Sequence, residues 1–94
     1  MRSEQRKLQD LVSVGPAMLR DFELLGIASV EQLSKRSPER LYEKLCQIKR
    51  QPQDLCCLDV FRAAVAQARN SRLPLEQGRW WYWSRRRKDR DGRR

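Results

Sequence analysis

Residues 11–19 read LVSVGPAML, a hydrophobic run that is interrupted by Gly15 and Pro16. Proline suits the first position of a helix, because the N–H group that it lacks would have no partner inside the helix there. Glycine just before it has no side chain to keep other groups away from the backbone. The stretch therefore predicts that one helical element ends before Gly15 and that another begins at Pro16.

Helix-start signals recur along the chain, and each precedes apolar residues spaced three or four apart. Residues 29–32 fit a capping box, and Gly26 suits a helix end in the left-handed conformation. The predicted helices run over residues 3–11, 16–25, 29–35, 37–48 and 54–68. Their expected buried residues include Leu8, Leu11, Val12, Met18, Phe22, Leu25, Leu41, Leu45, Ile48, Leu55, Leu58, Phe61, Val65 and Ala68. No segment has the period of two that a half-buried strand needs, so we expect an all-α fold of about five short helices.

Composition limits the chain to one small core and indicates a polyanionic partner. The 94 residues carry a net charge of +9 and contain no histidine. Residues 84–94 hold seven Arg or Lys against two Asp, so we expect a disordered basic tail after a domain of residues 1–83.

Three cysteines do not make a disulfide framework, which favours a reducing cytoplasm. No apolar run is long enough to cross a membrane, and no membrane partner is expected.

The turn at Gly15 is a candidate phosphate site. The N–H groups of Ala17 and Met18 would precede the first intrahelical hydrogen bond, at the positive end of the helix dipole. Such groups donate hydrogen bonds to a phosphate oxygen without reading a base. Arg20 lies one turn further along, and Asp21 and Glu23 oppose it in charge.

These residues resemble the helix-hairpin-helix superfamily. Ser13 to Pro16 occupies the loop, and LGIASVEQL at residues 25–33 matches the downstream part of the pattern. Ser13 stands where the pattern has its first loop glycine, and Met18 or Leu19 stands where it has alanine. The resemblance implies a SAM-like arrangement of helices and contact with DNA.

A narrower resemblance covers most of the chain. The segments DLVSVGPAMLRDFELLGI, SPERLYEKLCQI, DLCCLDVFRAAVAQAR and RWWYW are similar to those of the small bacterial pathogenicity-locus proteins, some of which are labelled mitomycin resistance proteins. That likeness implies a helix-hairpin-helix followed by a long helix and a terminal tryptophan cluster. The basic stretch after Trp83 lies outside it.

A second loop, residues 49–53, has two interpretations. If the two halves of the chain pack about a pseudo-twofold axis, as the resemblance implies, both loops would face one side. Lys49 and Arg50 would then supply charge next to the first loop. The alternative is a solvated basic turn.

Residues 80–83, WWYW, precede Arg85, Arg86, Arg87 and Lys88. We interpret the aromatic cluster as the closure of a core that has few large side chains, since each tryptophan can bury about 150–250 Å². The alternative is stacking on unpaired bases. The four basic residues would strengthen binding to any phosphate backbone, and that binding would weaken steeply with salt.

Catalysis has little support in the sequence. Histidine-based triads and metal sites are excluded, the three cysteines fall short of a four-ligand zinc set, and no nucleotide-binding glycine-rich loop occurs. We expect a non-enzymatic protein without cofactor, metal or small-molecule substrate, which binds DNA without sequence specificity. Its expected contacts are Gly15, Ala17, Met18, Arg20, Lys49, Arg50, Arg85, Arg86, Arg87 and Lys88. The alternative is a protein–protein interaction module in which the hairpin is purely structural.

Overall fold

The computed structural model describes residues 6–92, and side chains up to residue 89. This part of the chain contains five α-helices, two 3-10 turns and no strand, which confirms the all-α prediction. The helices are α1 (Pro16–Leu24), α2 (Val30–Ser34), α3 (Pro38–Lys49), α4 (Leu55–Arg69) and α5 (Trp80–Gly92). The 3-10 turns are Leu8–Asp10 and Leu75–Gly78.

Local signals define the ends of the first four helices. Ser29, Ser37 and Asp54 cap α2, α3 and α4, and each side chain accepts a hydrogen bond from a backbone N–H in the first turn. Pro16 is the first residue of α1, as predicted, and Gly26 follows its end with φ 76°. The N–H groups of Gly26 and Ile27 close that end on the carbonyls of Glu23 and Phe22.

The core is arranged around α4, which packs against α2, α3 and α5. Phe61 of α4 and Phe22 of α1 are fully buried, with ring centroids 5.9 Å apart. Leu58, Val65 and Ala68 of α4 are also buried, as the spacing predicts. Leu55 and Ile48 were expected in the core but are 47% and 40% exposed. Both lie at helix ends next to the loop between α3 and α4.

The first and last predicted segments need correction. The described part of the predicted helix over residues 3–11 is a single 3-10 turn, because Lys7 N–H bonds to the Asp10 carboxylate and Ser13 reverses the chain at φ 74°. Ser3 lies outside the described residues. The segment expected to be a disordered tail is helical to Gly92, because contacts with α4 hold α5 in place.

Gln67 joins three parts of the fold through one buried side-chain amide. Its Oε1 accepts from Val12 N at 2.8 Å, and its Nε2 donates to Val12 O at 2.9 Å and to Gly78 O at 3.1 Å. Ala63 O within α4 lies 3.2 Å from the same Nε2, so the two N–H groups of the amide are shared among three carbonyls. A Cβ at Gly78 would lie 3.0 Å from Gln67 Cδ, so glycine is the residue that lets the chain approach this closely. α4, residues 11–15 and the start of α5 are therefore held together.

We predict that Gln67→Leu lowers the free energy of unfolding by about 3 kcal/mol. Leucine keeps the apolar bulk but leaves the N–H and the carbonyl of Val12 without a partner, whereas Gly78 O keeps its bond from the Ser13 hydroxyl. Each buried unpaired group costs about 1–3 kcal/mol. Urea denaturation followed by circular dichroism measures the change. Gln47→Leu, at an exposed position of α3, should stay within about 0.5 kcal/mol of the parent. Equal effects of the two substitutions would contradict the role of Gln67.

Candidate nucleic-acid interface

The loop of residues 11–15, here called the Ser13 loop, presents the start of α1. Gly15 is the N-cap residue of α1 in an extended conformation, and the helix closes its first bond from Leu19 N to Gly15 O at 3.0 Å. Ala17 is exposed, whereas Met18 is buried, with an exposed fraction of 8%. The N–H groups of both residues precede that first bond. The predicted break before Pro16 is present, and Ser13, two residues before Gly15, adopts a left-handed φ of 74°.

The hydroxyl of Ser13 joins the loop to α5. Ser13 Oγ donates to Gly78 O at 3.3 Å and accepts from Trp80 N at 3.0 Å. Trp80 is the first residue of α5. The starts of α1 and α5 therefore adjoin each other at Ser13, an arrangement that the sequence did not predict.

The second loop, predicted over residues 49–53, lies at the other end of α4, and its first residue is the last of α3. Asp54 caps the start of α4, whereas Gln67, thirteen residues later, bonds to the Ser13 loop. A rise of 1.5 Å per residue separates these two points by about 20 Å. The two contacts therefore lie at opposite ends of α4, and the expectation that both loops face one side of the protein stays a prediction.

Lys49 and Arg50 differ in their availability. Lys49 Nζ forms a salt bridge with Asp21 Oδ1 at 3.0 Å, so the expected free charge at this position is neutralised within the protein. Arg50 is exposed and adopts φ 57° at the end of α3. Arg20 on α1 is also exposed.

The basic residues of α5 divide into a buried pair and an exposed group. Arg87 makes hydrogen bonds with both carboxylate oxygens of Asp59, which is fully buried, at 2.9–3.2 Å. Arg62 lies 3.8 Å from the same carboxylate. Arg87, expected to contact DNA, therefore fastens α5 to α4 instead. Sequence reasoning missed Asp59, although one acidic residue among the apolar residues of the longest helix was a signal for a buried partner.

The exposed arginines of α5 lie over aromatic rings. The Arg85 guanidinium carbon is 4.8 Å from the centre of the Trp81 ring. That of Arg86 is 5.7 Å from the Tyr82 ring and 6.0 Å from the Trp83 ring. Such cation–π contacts stabilise a defined position of the guanidinium group. Lys88 is exposed on the same helix.

The aromatic cluster is only partly a closure of the core. Trp83 is half-buried, donates from Nε1 to Gln77 O at 2.8 Å and meets Tyr82 edge to face. Trp81 is half-buried beneath Arg85. Trp80 is 39% exposed. The core-closing interpretation therefore fits Trp81 and Trp83 better than Trp80.

The three cysteines are half-buried free thiols. Cys46 Sγ accepts a hydrogen bond from Gln53 N at 3.3 Å. Burial raises the pKa of the Cys57 thiol to about 11, and the nearby Asp21 carboxylate adds to the effect. Among the described residues, no group of three or more histidine, cysteine or acidic side chains could hold a metal ion. Nor does this part of the chain contain a helix that is long and apolar enough to span a membrane.

Fold and surface define the class of protein as a small all-α protein with an exposed basic helix. The chain belongs to the family described as "Pathogenicity locus", which it matches over residues 1–89. A relative from Streptomyces lavendulae, named "Mitomycin resistance protein McrB", is 38% identical over 86 residues, which cover 92% of this chain and 78% of that protein. No solved structure matches the chain.

We predict that Arg87→Met destabilises the protein by about 3 kcal/mol, because it leaves the buried Asp59 carboxylate without its bidentate partner. Asp59→Leu combined with Arg87→Met should recover most of that loss, since no buried charge then remains. Lys88→Met is the matched control at an exposed position and should change stability by less than about 0.5 kcal/mol. Urea titrations of the four proteins test the pair. A double variant no more stable than Arg87→Met would contradict this account.

Proposed function

We propose that this protein is a non-enzymatic DNA-binding protein of the helix-hairpin-helix type, which contacts backbone phosphates without reading sequence. The observation that carries the proposal is the pair of exposed arginines, Arg85 and Arg86, held over aromatic rings on α5. Lys88 extends the same exposed basic surface. The net charge of +9 favours the same class of partner.

Contact with an aromatic ring favours phosphate recognition by an arginine side chain. The guanidinium group presents several N–H donors in a planar fork that matches phosphate oxygens. A guanidinium already positioned over a ring loses less freedom when it binds. Arg85 and Arg86 would therefore bind with a smaller entropic cost than unsupported cations.

The Ser13 loop would add main-chain contacts to those of α5. Gly15, Ala17 and Met18 offer backbone at the start of α1, where the helix dipole favours an anion. Arg20 and Arg50 are exposed and would extend the charge. Lys49 and Arg87 are engaged in salt bridges, so we leave them out of the proposed interface. Three free cysteines are consistent with action in a reducing cytoplasm.

A second candidate function is a protein–protein interaction module. An open groove of about 550 Å³ lies between the first 3-10 turn and α1, and Leu8, Leu19 and Ile27 line it together with Arg20. Ala28 is exposed at this groove. A partner retained from a nuclease-treated lysate and lost in Ala28→Arg would support this function. Retention of the same partner by Ala28→Arg would remove the groove from consideration.

Fluorescence anisotropy with a labelled DNA duplex at about 50 mM and about 200 mM salt tests the DNA proposal. We expect binding at low salt that weakens steeply at high salt. Arg85→Gln with Arg86→Gln should reduce the slope of log affinity against log salt by about 1.8, since each phosphate contact contributes about 0.9. Arg40→Gln with Lys44→Gln removes the same charge from exposed positions of α3. No binding at low salt, or equal losses in both double variants, would contradict the proposed interface.

We predict opposite effects of Arg50→Gly on stability and on DNA affinity. A residue with a side chain pays about 1–2 kcal/mol in the left-handed region that Arg50 occupies at φ 57°. Glycine removes that cost but adds freedom to the unfolded chain, about 0.4–1 kcal/mol. The net gain in unfolding free energy should be about 0.5 kcal/mol, while loss of the charge weakens DNA binding. A variant that is more stable and binds equally well would exclude Arg50 from the interface.

A further inference from the structure

Trp80 differs from the other aromatic residues of α5. Trp81, Tyr82 and Trp83 are half-buried, and each ring has an arginine over it. Trp80 is 39% exposed, and within the described part of the chain its indole has no hydrogen bond, ring contact or cation over it. Its aromatic surface is therefore available to a ligand.

The position of Trp80 is well defined although its ring is exposed. Its backbone N–H donates to Ser13 Oγ, and Gly78, two residues earlier, is held by Gln67. Side chains of a helix lean toward its N-terminus. The indole of Trp80 therefore lies at the end of α5 that adjoins the Ser13 loop.

The surroundings of Trp80 are basic. Residues 79–88 contain five Arg or Lys and no acidic residue, and the charge of Arg87 alone among them is neutralised by Asp59. Arg85 lies five residues after Trp80, about 7.5 Å along the helix axis.

We propose that Trp80 stacks on an unpaired base of single-stranded DNA, whose phosphates are contacted by Arg85 and Arg86. This inference rests on the proposed DNA binding and names its preferred substrate class. In a duplex both faces of each base are covered by its neighbours, whereas an unpaired base offers a face to an aromatic ring. An exposed ring on the same helix as phosphate-binding arginines is therefore of use mainly with a single strand.

The same composition could place α5 on an anionic membrane surface, but its geometry favours the single strand. A helix lying on a membrane needs an apolar face that is free along its length. On α5 the free aromatic surface is confined to Trp80 at one end, because the other three rings are half-buried or covered by arginines.

Anisotropy titrations of the full chain with short oligothymidine and with a blunt duplex test the inference. We expect the single strand to bind more tightly than the duplex. Trp80→Leu, which keeps the apolar bulk but removes the ring, should weaken oligothymidine binding about tenfold, or about 1.4 kcal/mol. Duplex binding should remain within about twofold. Trp80→Phe should retain most of the single-strand affinity, and Leu75→Ala, at an exposed apolar position nearby, should retain all of it.

Tryptophan fluorescence provides a second measurement, which a purely structural role of Trp80 would not change. Oligothymidine should quench the emission of the parent protein, and Trp80→Leu should abolish most of that quenching while Trp81 and Trp83 remain. Equal affinity for both DNAs with no effect of Trp80→Leu would overturn this inference and leave the proposed function standing. Absence of binding to either DNA would overturn both. Quenching by phosphatidylglycerol vesicles without quenching by oligothymidine would overturn it in favour of a membrane surface.

Discussion

The side-chain amide of Gln67 pairs with both the N–H and the carbonyl of Val12, residues that are 55 positions apart in the chain. The same amide donates to Gly78 O, and so it determines where the Ser13 loop and the start of α5 lie on α4. An amide is suited to this role because it offers donors and an acceptor at once, without the cost of burying a charge. The close approach of Gly78 completes the contact. The surface around Trp80 depends on this one interaction.

A buried ion pair then determines the direction of α5. Asp59 is fully buried and needs a partner, and Arg87 lies two turns beyond Trp80 on the inner side of the helix. With one contact at its start and another in its middle, α5 cannot rotate freely about its axis. Arg85 and Arg86 consequently keep their positions on the exposed side, over the rings of Trp81 and Tyr82. The orientation of α5 thus both buries Arg87 against Asp59 and leaves Arg85 and Arg86 exposed.

Local sequence predicted those parts of the fold that local interactions determine. The helix starts at Pro16, Ser29, Ser37 and Asp54 follow from the chemistry of helix capping and are all present. The segment after Trp83 was predicted to be disordered because its composition is highly charged. Its helix depends on contacts with residues far away in the sequence, which composition does not reveal. The expected number of helices is correct although one predicted helix is a 3-10 turn and α5 was not expected.

The candidate interface was less predictable, since charge alone does not tell a free cation from a paired one. Lys49 and Arg87 have the same sequence signature as Arg50 and Arg86, and only the tertiary positions of Asp21 and Asp59 separate them.

Ser13 shows how a departure from a familiar pattern can carry information. The loop resembles one that has glycine at this position, and a serine at φ 74° costs about 1 kcal/mol that glycine would avoid. The hydroxyl compensates through two bonds, to Gly78 O and from Trp80 N. Glycine would make the turn more easily but would leave the start of α5 without this contact. The left-handed serine thus costs conformational energy but fixes the position of Trp80 through its hydroxyl. The unusual loop residue and the exposed aromatic ring are therefore linked.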